Sequence, residues 1–412
     1  MARDIDLIEG AAQDVPEAFD VDLAPDQADA DPLVGLTEQV KHVDLGTLFR
    51  GAVKAALELV LEEELREIVG AGRYARSATR VDSRNGSFMR GLLTSLGHIE
   101  VAVPRSRSSG SPVDVIGRYA RRLDEVNDAI VSAYVNGVST RGMGKVTEAL
   151  MGANVGRSTV SRVTQRLEKK VEDLRNGKIE SRFAYLFLDA TFVPARWARA
   201  VESVSALVAY GVDEDGKRQL LAVEMGVAED EDSWSKLLAG LVERGLDGVR
   251  LIISDAHKGL WAAARRHFPE VAHQRCVVHL MRNVGSNVPH RLRKRVLGQV
   301  SSIFAAKNPA DAKKRLEKFV ECWSKDLPEA VECLKTGFKA AAEFFAFPKA
   351  HWARIRSNNG LERLNREIKR RTKKVGAFPD RASALRLITA VAVDVTETWS
   401  KRRYLDMSLL DQ

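Results

Sequence analysis

The chain has 412 residues, of which 45% are hydrophobic and 29% are charged. This composition excludes a wholly disordered or collagen-like chain, and the absence of a long uninterrupted apolar run excludes a membrane-spanning helix. The first residues are acidic and lack the apolar core of a secretory signal, and three cysteines are too few for a disulfide framework. We therefore expect a protein of the reducing cytoplasm.

Charge is distributed unevenly along the chain. The net charge is +8, but residues 1–40 contain one base, Arg3, and eleven acids, which leaves +18 for the rest. A basic body favours a polyanionic partner such as nucleic acid, and solubility alone is the alternative. The composition of 1–40, rich in Asp, Ala and Pro, indicates an acidic disordered tail.

The segment after this tail is predicted to be mainly helical. Apolar residues recur at three- and four-residue steps over 44–70, which predicts an amphipathic helix. A small β element follows, with a turn at Asn85-Gly86 and an alternating strand around Val101. Residues 123–175 again have a helical pattern.

A helix-turn-helix-like arrangement is predicted within this helical stretch. Its first helix ends near Gly152, and its second begins after Arg157 with Ser158 or Thr159 as the cap. The outer face of the second helix is expected to carry Ser161, Arg162, Thr164 and Gln165. Short polar and basic side chains at a helix start suit contacts with phosphates and base edges, so we interpret 41–180 as a DNA-binding region. An ordinary pair of packed helices is the alternative.

From residue 183 the pattern changes to strands alternating with helices. A continuous apolar run over 183–188 is typical of a strand buried on both faces. The further elements are predicted, in order, as strands 203–212 and 218–227, a helix 231–244, a strand 251–253, a helix 257–268 and a short strand from Val271. This order predicts an α/β sheet of mixed sense whose first three strands form a meander. Helices are then expected over 290–345, 358–374 and 381–399.

Both buried strands are predicted to end in an acid, at Asp189 and Asp255. A third acid, Glu362, lies near the start of the basic helix over 358–374. Three carboxylates can hold two Mg²⁺ ions, because magnesium prefers hard oxygen ligands, and two such ions can promote phosphoryl transfer. A chain with 56 acids offers many sets of three, and the alternative for Asp255 is a cap of the following helix.

The three acids lie in or next to four segments that together form a recognisable sequence pattern. They are Phe187–Arg196, Ser254–Leu260, Gln274–His279 with Arg282-Asn283, and Ser357–Arg371 followed by Gly376–Pro379. Together they resemble the Mutator-like family of bacterial insertion-sequence transposases. The resemblance implies a ribonuclease-H-like α/β catalytic domain, with its first part over 181–289, a helical insertion over 290–350 and final helices over 351–412. The family's Asp-Asp-Glu catalytic and metal-binding set falls on Asp189, Asp255 and Glu362.

The resemblance also implies an activity and its partners. Family members cut DNA at the ends of their element and join the 3′-hydroxyl to target DNA, using two Mg²⁺ ions for which Mn²⁺ can substitute. It further implies a homo-oligomer, at least a dimer, that works in the bacterial cytoplasm in association with the nucleoid and has no membrane partner.

Bases cluster after Glu362 more densely than a solvated helix face requires. These bases are Arg363, Arg366, Lys369, Arg370, Arg371, Lys373 and Lys374. We expect them to bind phosphates that flank the metal site, which makes binding dependent on salt. Arg196 and Lys258 follow the two aspartates and are candidates for the same role.

Cys276 and His279 form a Cys-x-x-His pair. A structural zinc site needs four ligands, and no second Cys/His pair follows, so we do not expect zinc here. The resemblance places the pair beside the catalytic centre, where His279 would contact DNA or an active-site carboxylate. The alternative is a packed cysteine and a hydrogen-bonded histidine.

Two other functions remain open from the sequence. A DNA-binding protein that does not catalyse, such as a repressor of its own element, would bind the element ends without cutting them. A structure-specific nuclease of the same fold would cut DNA and never join the product to a second DNA.

Overall fold

A computed structural model describes residues 44–410, apart from residues 76, 113–115, 118–119, 198–199 and 227. The acidic tail predicted over 1–40 lies outside the described residues. No helix in the described part of the chain is long and apolar enough to span a membrane.

The N-terminal part combines a long helix with a two-stranded hairpin: α1 (Leu45–Val69), β1 (Arg84–Thr94) and β2 (Gly97–Ser106). Helix α1 confirms the helix that was predicted from the apolar periodicity. It is capped at its C-terminal end by Gly70, whose φ of 73° suits glycine. The hairpin turn was predicted wrongly: it lies between Thr94 and Gly97, which are paired. Gly86 has a φ of 68°, and the strand register shifts between Arg84 and Ser87. The Asn-Gly pair therefore marks an irregularity inside β1.

Four helices follow: α2 (Asp124–Val135), α3 (Thr140–Met151), α4 (Arg157–Thr164) and α5 (Leu167–Asn176). The predicted helix-turn-helix pair corresponds to α3 and α4. Gly156 is the N-cap of α4, so the predicted cap at Ser158 or Thr159 was wrong. Thr164 is buried and does not lie on the outer face, because it packs with Val160 and Val163 on the core side of this short helix. The outer face is formed by Ser161, Arg162 and Gln165, which are exposed.

The central sheet has five strands: β3 (Phe183–Trp197), β4 (Ala200–Asp213), β5 (Arg218–Gly226), β6 (Leu251–Ser254) and β7 (Ala272–Arg275). Their spatial order is β5-β4-β3-β6-β7. Strands β3, β4 and β5 pair antiparallel, whereas β6 is parallel to β3 and β7 is parallel to β6. The predicted meander and the mixed sense of the sheet are therefore confirmed, and β3 lies at the centre.

Strand β3 continues well past the predicted end at Asp189. Thr191 and Val193 are buried while Phe192 is exposed, which is the alternation of a strand with one solvated face. Asp189 is consequently inside the strand, opposite Val208 of β4. The continuous apolar run marks only the half of β3 that is buried on both faces.

Helices connect and cover the sheet: α6 (Glu231–Glu243), α7 (Lys258–His267) and α8 (Val277–Ser286). The expected helical stretch after residue 290 consists of α9 (His290–Phe304), α10 (Pro309–Trp323), α11 (Pro328–Ala341) and a 3-10 turn (Glu343–Ala346). Asn308 caps α10 by accepting from the Asp311 amide at 2.8 Å, with Pro309 as the first helical residue.

The chain ends with α12 (Trp352–Ile355), α13 (Asn359–Thr372), a 3-10 turn (Lys373–Val375), α14 (Arg381–Thr396) and a last 3-10 turn (Met407–Leu409). Helix α13 buries Leu361, Leu364 and Ile368 on one face. This face packs in the same core as residues of β3 and α14, so α13 lies against the central strand.

Candidate active site

Asp189 lies on the central strand with its carboxylate almost out of contact with solvent. It is 8% exposed, and the side-chain amide of Asn365 on α13 donates to its Oδ2 at 2.9 Å. Asn365 is itself buried. The hydrogen bond joins β3 to the helix that carries Glu362 and fixes the orientation of the Asp189 carboxylate.

The other two predicted acids lie close enough to Asp189 to affect its ionisation. Burial, and after it the charges of Asp255, Glu362 and Glu229, together raise the pKa of Asp189 to about 7, against the lowering effect of a backbone hydrogen bond at Ala190. Burial and neighbouring like charges both disfavour the ionised form of a carboxyl group. The site is therefore a concentration of negative charge that favours a cation or a proton.

Asp255 follows the last residue of β6 and is half-buried. Its Oδ1 accepts from the backbone amide of His257 at 3.2 Å, and its backbone carbonyl accepts from the indole N–H of Trp261 at 2.7 Å. The Ser254 hydroxyl donates to the same carbonyl at 2.7 Å. These contacts hold the loop between β6 and α7 in one shape and place the carboxylate beside the end of the strand.

Glu362 lies in the first turn of α13, and its side chain is 16% exposed. Arg282 of α8 holds it with two contacts, Nη1 to Oε1 at 2.9 Å and Nη2 to Oε2 at 3.0 Å. His279 Nε2 lies 3.5 Å from the same Oε1. Burial is the largest influence on His279 and lowers its pKa, although Asp255 and Glu362 oppose that effect.

The start of α13 is fastened to the sheet through Asn358 and Cys276. The side-chain amide of Asn358 donates to the Leu188 carbonyl at 2.8 Å, and its backbone amide donates to Cys276 Sγ at 3.3 Å. The Cys276 amide in turn donates to the Ser254 carbonyl at 2.7 Å. Cys276 is fully buried, and burial raises the pKa of its thiol. It thus connects β6, which leads into Asp255, with the helix of Glu362.

Two participants were not predicted from the sequence. Glu229 precedes α6, and its side chain is 14% exposed; burial raises its pKa first and the charge of Asp255 second. It stands in an acidic run before a helix, which resembles an ordinary helix start. Asn365 lies one turn after Glu362, a spacing that puts both on one side of the helix.

The neighbouring carboxylates are not arranged as a ligand set in this state. Within the described part of the chain, no three His, Cys, Asp or Glu side chains form a group that could hold a metal ion. In this arrangement the Arg282 guanidinium supplies the positive charge that Glu362 meets.

The candidate DNA-binding bases divide into two groups. Seven are exposed: Arg196, Lys258, Arg363, Arg366, Lys369, Lys373 and Lys374. The other two, Arg370 and Arg371, form ion pairs. Arg370 is exposed and pairs with Glu367 at 2.8 Å. Arg371 differs from the expectation of a solvent-facing base: its side chain is only 11% exposed and pairs with Asp394 at 2.6 Å.

Comparisons with known proteins point to one family. A family model described as "Transposase, Mutator family" matches residues 30–402. The transposase for insertion sequence element ISRM5 of Rhizobium meliloti (strain 1021) is 36% identical over 359 residues, 87% of this chain and 90% of that protein. The transposase for element IS256 in transposon Tn4001 of Staphylococcus aureus is 35% identical over 353 residues, 84% of this chain and 90% of that protein.

One solved structure that is similar is the Drosophila P element transposase strand transfer complex, with a TM-score of 0.30 and 14% identity over 69% of this chain and 83% of that chain. The family match spans most of the sequence. The resemblance noted in the sequence is therefore confirmed, and the chain belongs to the Mutator family of transposases.

Proposed function

We propose that this transposase binds the terminal inverted repeats of its insertion sequence and catalyses strand cleavage and strand transfer with Asp189, Asp255 and Glu362. The observation that carries the proposal is the convergence of anionic charge on Asp189, whose pKa is raised by burial and by both other acids. Membership of the Mutator family supplies the substrate class, DNA.

A ribonuclease-H-like catalytic fold is part of the proposal. The mixed five-stranded sheet with the order β5-β4-β3-β6-β7 is compatible with that fold. The central strand carries Asp189, and its parallel neighbour β6 leads directly into Asp255. The two acids therefore come from adjacent strands, and the helix that supplies Glu362 packs against the central one.

The donor set fits Mg²⁺. All three side chains offer carboxylate oxygens, which are the ligands that this ion prefers. The buried Asp189 carboxylate accepts a hydrogen bond from the neutral side-chain amide of Asn365 and lies in the field of other anions. A divalent cation would offset that repulsion. Asp189, Asp255 and Glu362 would hold the ions once Arg282 releases Glu362.

When bound, two Mg²⁺ ions promote attack by a water or a 3′-hydroxyl and stabilise the leaving oxygen of the phosphodiester. The chain's own residues provide the positioning. Asn365 orients Asp189, and His279 lies against Glu362. Arg282 has an exposed side chain beside the reacting group and is available to pair with a DNA phosphate after it leaves Glu362.

The solvent-facing bases of α13 extend this site into a DNA-binding surface. Arg363, Arg366 and Lys369 follow Glu362 on the exposed side of the helix. They would bind phosphates on either side of the scissile bond. Arg371 instead stabilises the packing of α13 on α14 through Asp394. Since two element ends must meet for transfer, we propose that the working form is at least a dimer, acting in the cytoplasm at the nucleoid.

The test is strand transfer of labelled element-end DNA by Asp189→Asn in the presence of Mg²⁺. We expect binding to the end DNA to persist in a gel shift while cleavage and joining are lost. Asp326→Asn is the matched control, because Asp326 is exposed in the turn before α11. Full activity of Asp189→Asn would refute the assignment.

The same assay separates the two alternative functions. A wild-type protein that shifts the end DNA but never nicks it would be a repressor. A wild-type protein that nicks DNA in Mg²⁺ and never joins the product to a second DNA would be a nuclease.

A further inference from the structure

A groove lies between the helix-turn-helix-like pair and the segment after α13. Its volume is about 630 Å³. Four basic side chains line it, and its lining contains no acid: Arg141, Arg157, Lys374 and Arg386. Arg141, Arg157 and Lys374 are exposed, whereas Arg386 pairs with Glu168 at 2.6 Å. Excess positive charge in a concave surface attracts an anionic ligand.

Hydroxyl groups and helix starts add donors to the same groove. Ser139 caps α3, Ser158 is the second residue of α4, and Ser383 lies in the first turn of α14, and all three line the groove. Ser139 accepts from the Gly142 amide at 3.1 Å, but Gly156 gives α4 no side-chain cap. Amides at a helix start together with serine hydroxyls and arginines are the donors that bind phosphate oxygens.

The groove is held in a fixed position relative to the candidate active site. One wall comes from α3 and α4, and the other from Lys374 to Pro379, directly after α13. The turn before α3 packs closely on the end of α13, since a Cβ on Gly137 would lie 3.2 Å from the Arg371 carbonyl oxygen. Arg371 is fastened further by Asp394. A ligand in the groove is therefore held at a fixed distance from the helix that carries Glu362.

We propose that this groove binds the sugar–phosphate backbone of duplex DNA and so sets the distance between the DNA held by α4 and the scissile bond at Glu362. The inference rests on the proposed DNA function and adds a backbone-binding site to it. Its donors are serine hydroxyls, backbone amides and guanidinium groups, which recognise phosphodiesters without reading sequence. A duplex of arbitrary sequence is consequently a valid probe.

The first test places an anion in the groove without weakening the fold. Ser158→Glu adds a carboxylate at the second position of α4, where negative charge stabilises a helix. Ala310→Glu is the matched control, because Ala310 is exposed at the second position of α10. With the full chain and a fluorescein-labelled duplex of about 40 base pairs, we expect Ser158→Glu to weaken binding at least tenfold. Ala310→Glu should bind like the wild type.

The second test uses the opposite wall of the groove. Lys374→Ala should lower the slope of log affinity against log salt concentration by about 0.9, which corresponds to one lost phosphate contact. Lys325→Ala, at an exposed position before α11, should leave the slope unchanged. Wild-type binding by both Ser158→Glu and Lys374→Ala, or equal losses in the variants and their controls, would overturn the inference.

These results are distinguishable from failure of the proposed function. If wild-type protein cleaves and joins end DNA while both groove variants bind like wild type, the groove proposal fails and the function stands. If the wild type neither binds nor cuts DNA, both proposals fail.

Discussion

Replacing Asp189 with asparagine is expected to stabilise the metal-free protein. The pKa of Asp189 is raised from 3.8 to about 7, mainly by burial and then by the charges of Asp255 and Glu362. The folded state therefore holds a proton more tightly than the unfolded state does. This group's stabilising contribution is complete below about pH 4 and is lost as the pH rises to about 7. Above that range, an ionised Asp189 opposes folding.

The magnitude follows from the size of the shift. The pKa difference between the folded and unfolded states, about three, corresponds to about 4 kcal/mol of folding free energy at roughly 1.36 kcal/mol for each unit. This is an upper bound, because the folded protein relaxes around a charge. Asparagine keeps the shape and an oxygen that can accept from Asn365, so the hydrogen bond at 2.9 Å persists. The gain for Asp189→Asn should thus be up to about 4 kcal/mol at pH 8 and close to zero at about pH 4.

Chemical denaturation at several pH values, with and without Mg²⁺, measures this gain. Mg²⁺ should stabilise the wild type and have much less effect on Asp189→Asn, because binding to the folded state alone raises its stability. The exposed Asp326→Asn should show neither effect. An Asp189→Asn variant that is less stable than the wild type at pH 8, or a gain that does not depend on pH, would refute the reasoning.

Two further predictions concern polar contacts around the sheet. Arg282→Ala removes the cation that pairs with Glu362 at 2.9 Å and would compete with Mg²⁺ for it. Less Mg²⁺ should then be needed to reach half of the maximal increase in melting temperature. An unchanged or higher Mg²⁺ requirement would contradict this competition. His351→Phe removes a buried link in which Tyr185 O–H lies 2.7 Å from Nδ1 and Nε2 lies 2.8 Å from the Asp406 carbonyl. The Tyr185 hydroxyl is buried and would be left unpaired at a cost of about 1–3 kcal/mol, so the free energy of unfolding should fall by about that amount, and an unchanged value in denaturant titrations would contradict this role.

The strongest sequence patterns predicted the sheet well. Continuous apolar residues over 251–253 predict a buried strand, and this strand is β6. The turn at Asp213–Gly216 connects β4 to its antiparallel neighbour β5. The extension of β3 beyond Asp189 was missed, because an acid after an apolar run resembles the end of a strand. Strand pairing with β4 and the alternation around Phe192 carry the strand onward.

The sequence pointed to Asp189, Asp255 and Glu362 as the candidate acids and to His279 beside a carboxylate, and His279 Nε2 lies 3.5 Å from Glu362 Oε1, but it gave no sign of the other neighbours. Asp255 and Glu362 stand in segments that resemble a known family, so their neighbourhood could be inferred. Glu229 and Asn365 enter the site only through the packing of α6 and α13 on the sheet, which no local pattern records. The ion pair of Arg282 with Glu362 is likewise a contact between helices that are distant in the sequence.

The most direct test of the metal site is cleavage of the protein backbone by hydroxyl radicals generated from Fe²⁺ bound in place of Mg²⁺ in the complex with end DNA. The proposal predicts that the chain is cut close to Asp189, Asp255 and Glu362, and that excess Mg²⁺ or the Asp189→Asn substitution suppresses all three cuts. Cuts confined to other parts of the chain, or cuts at these positions that persist in the variant, would contradict it.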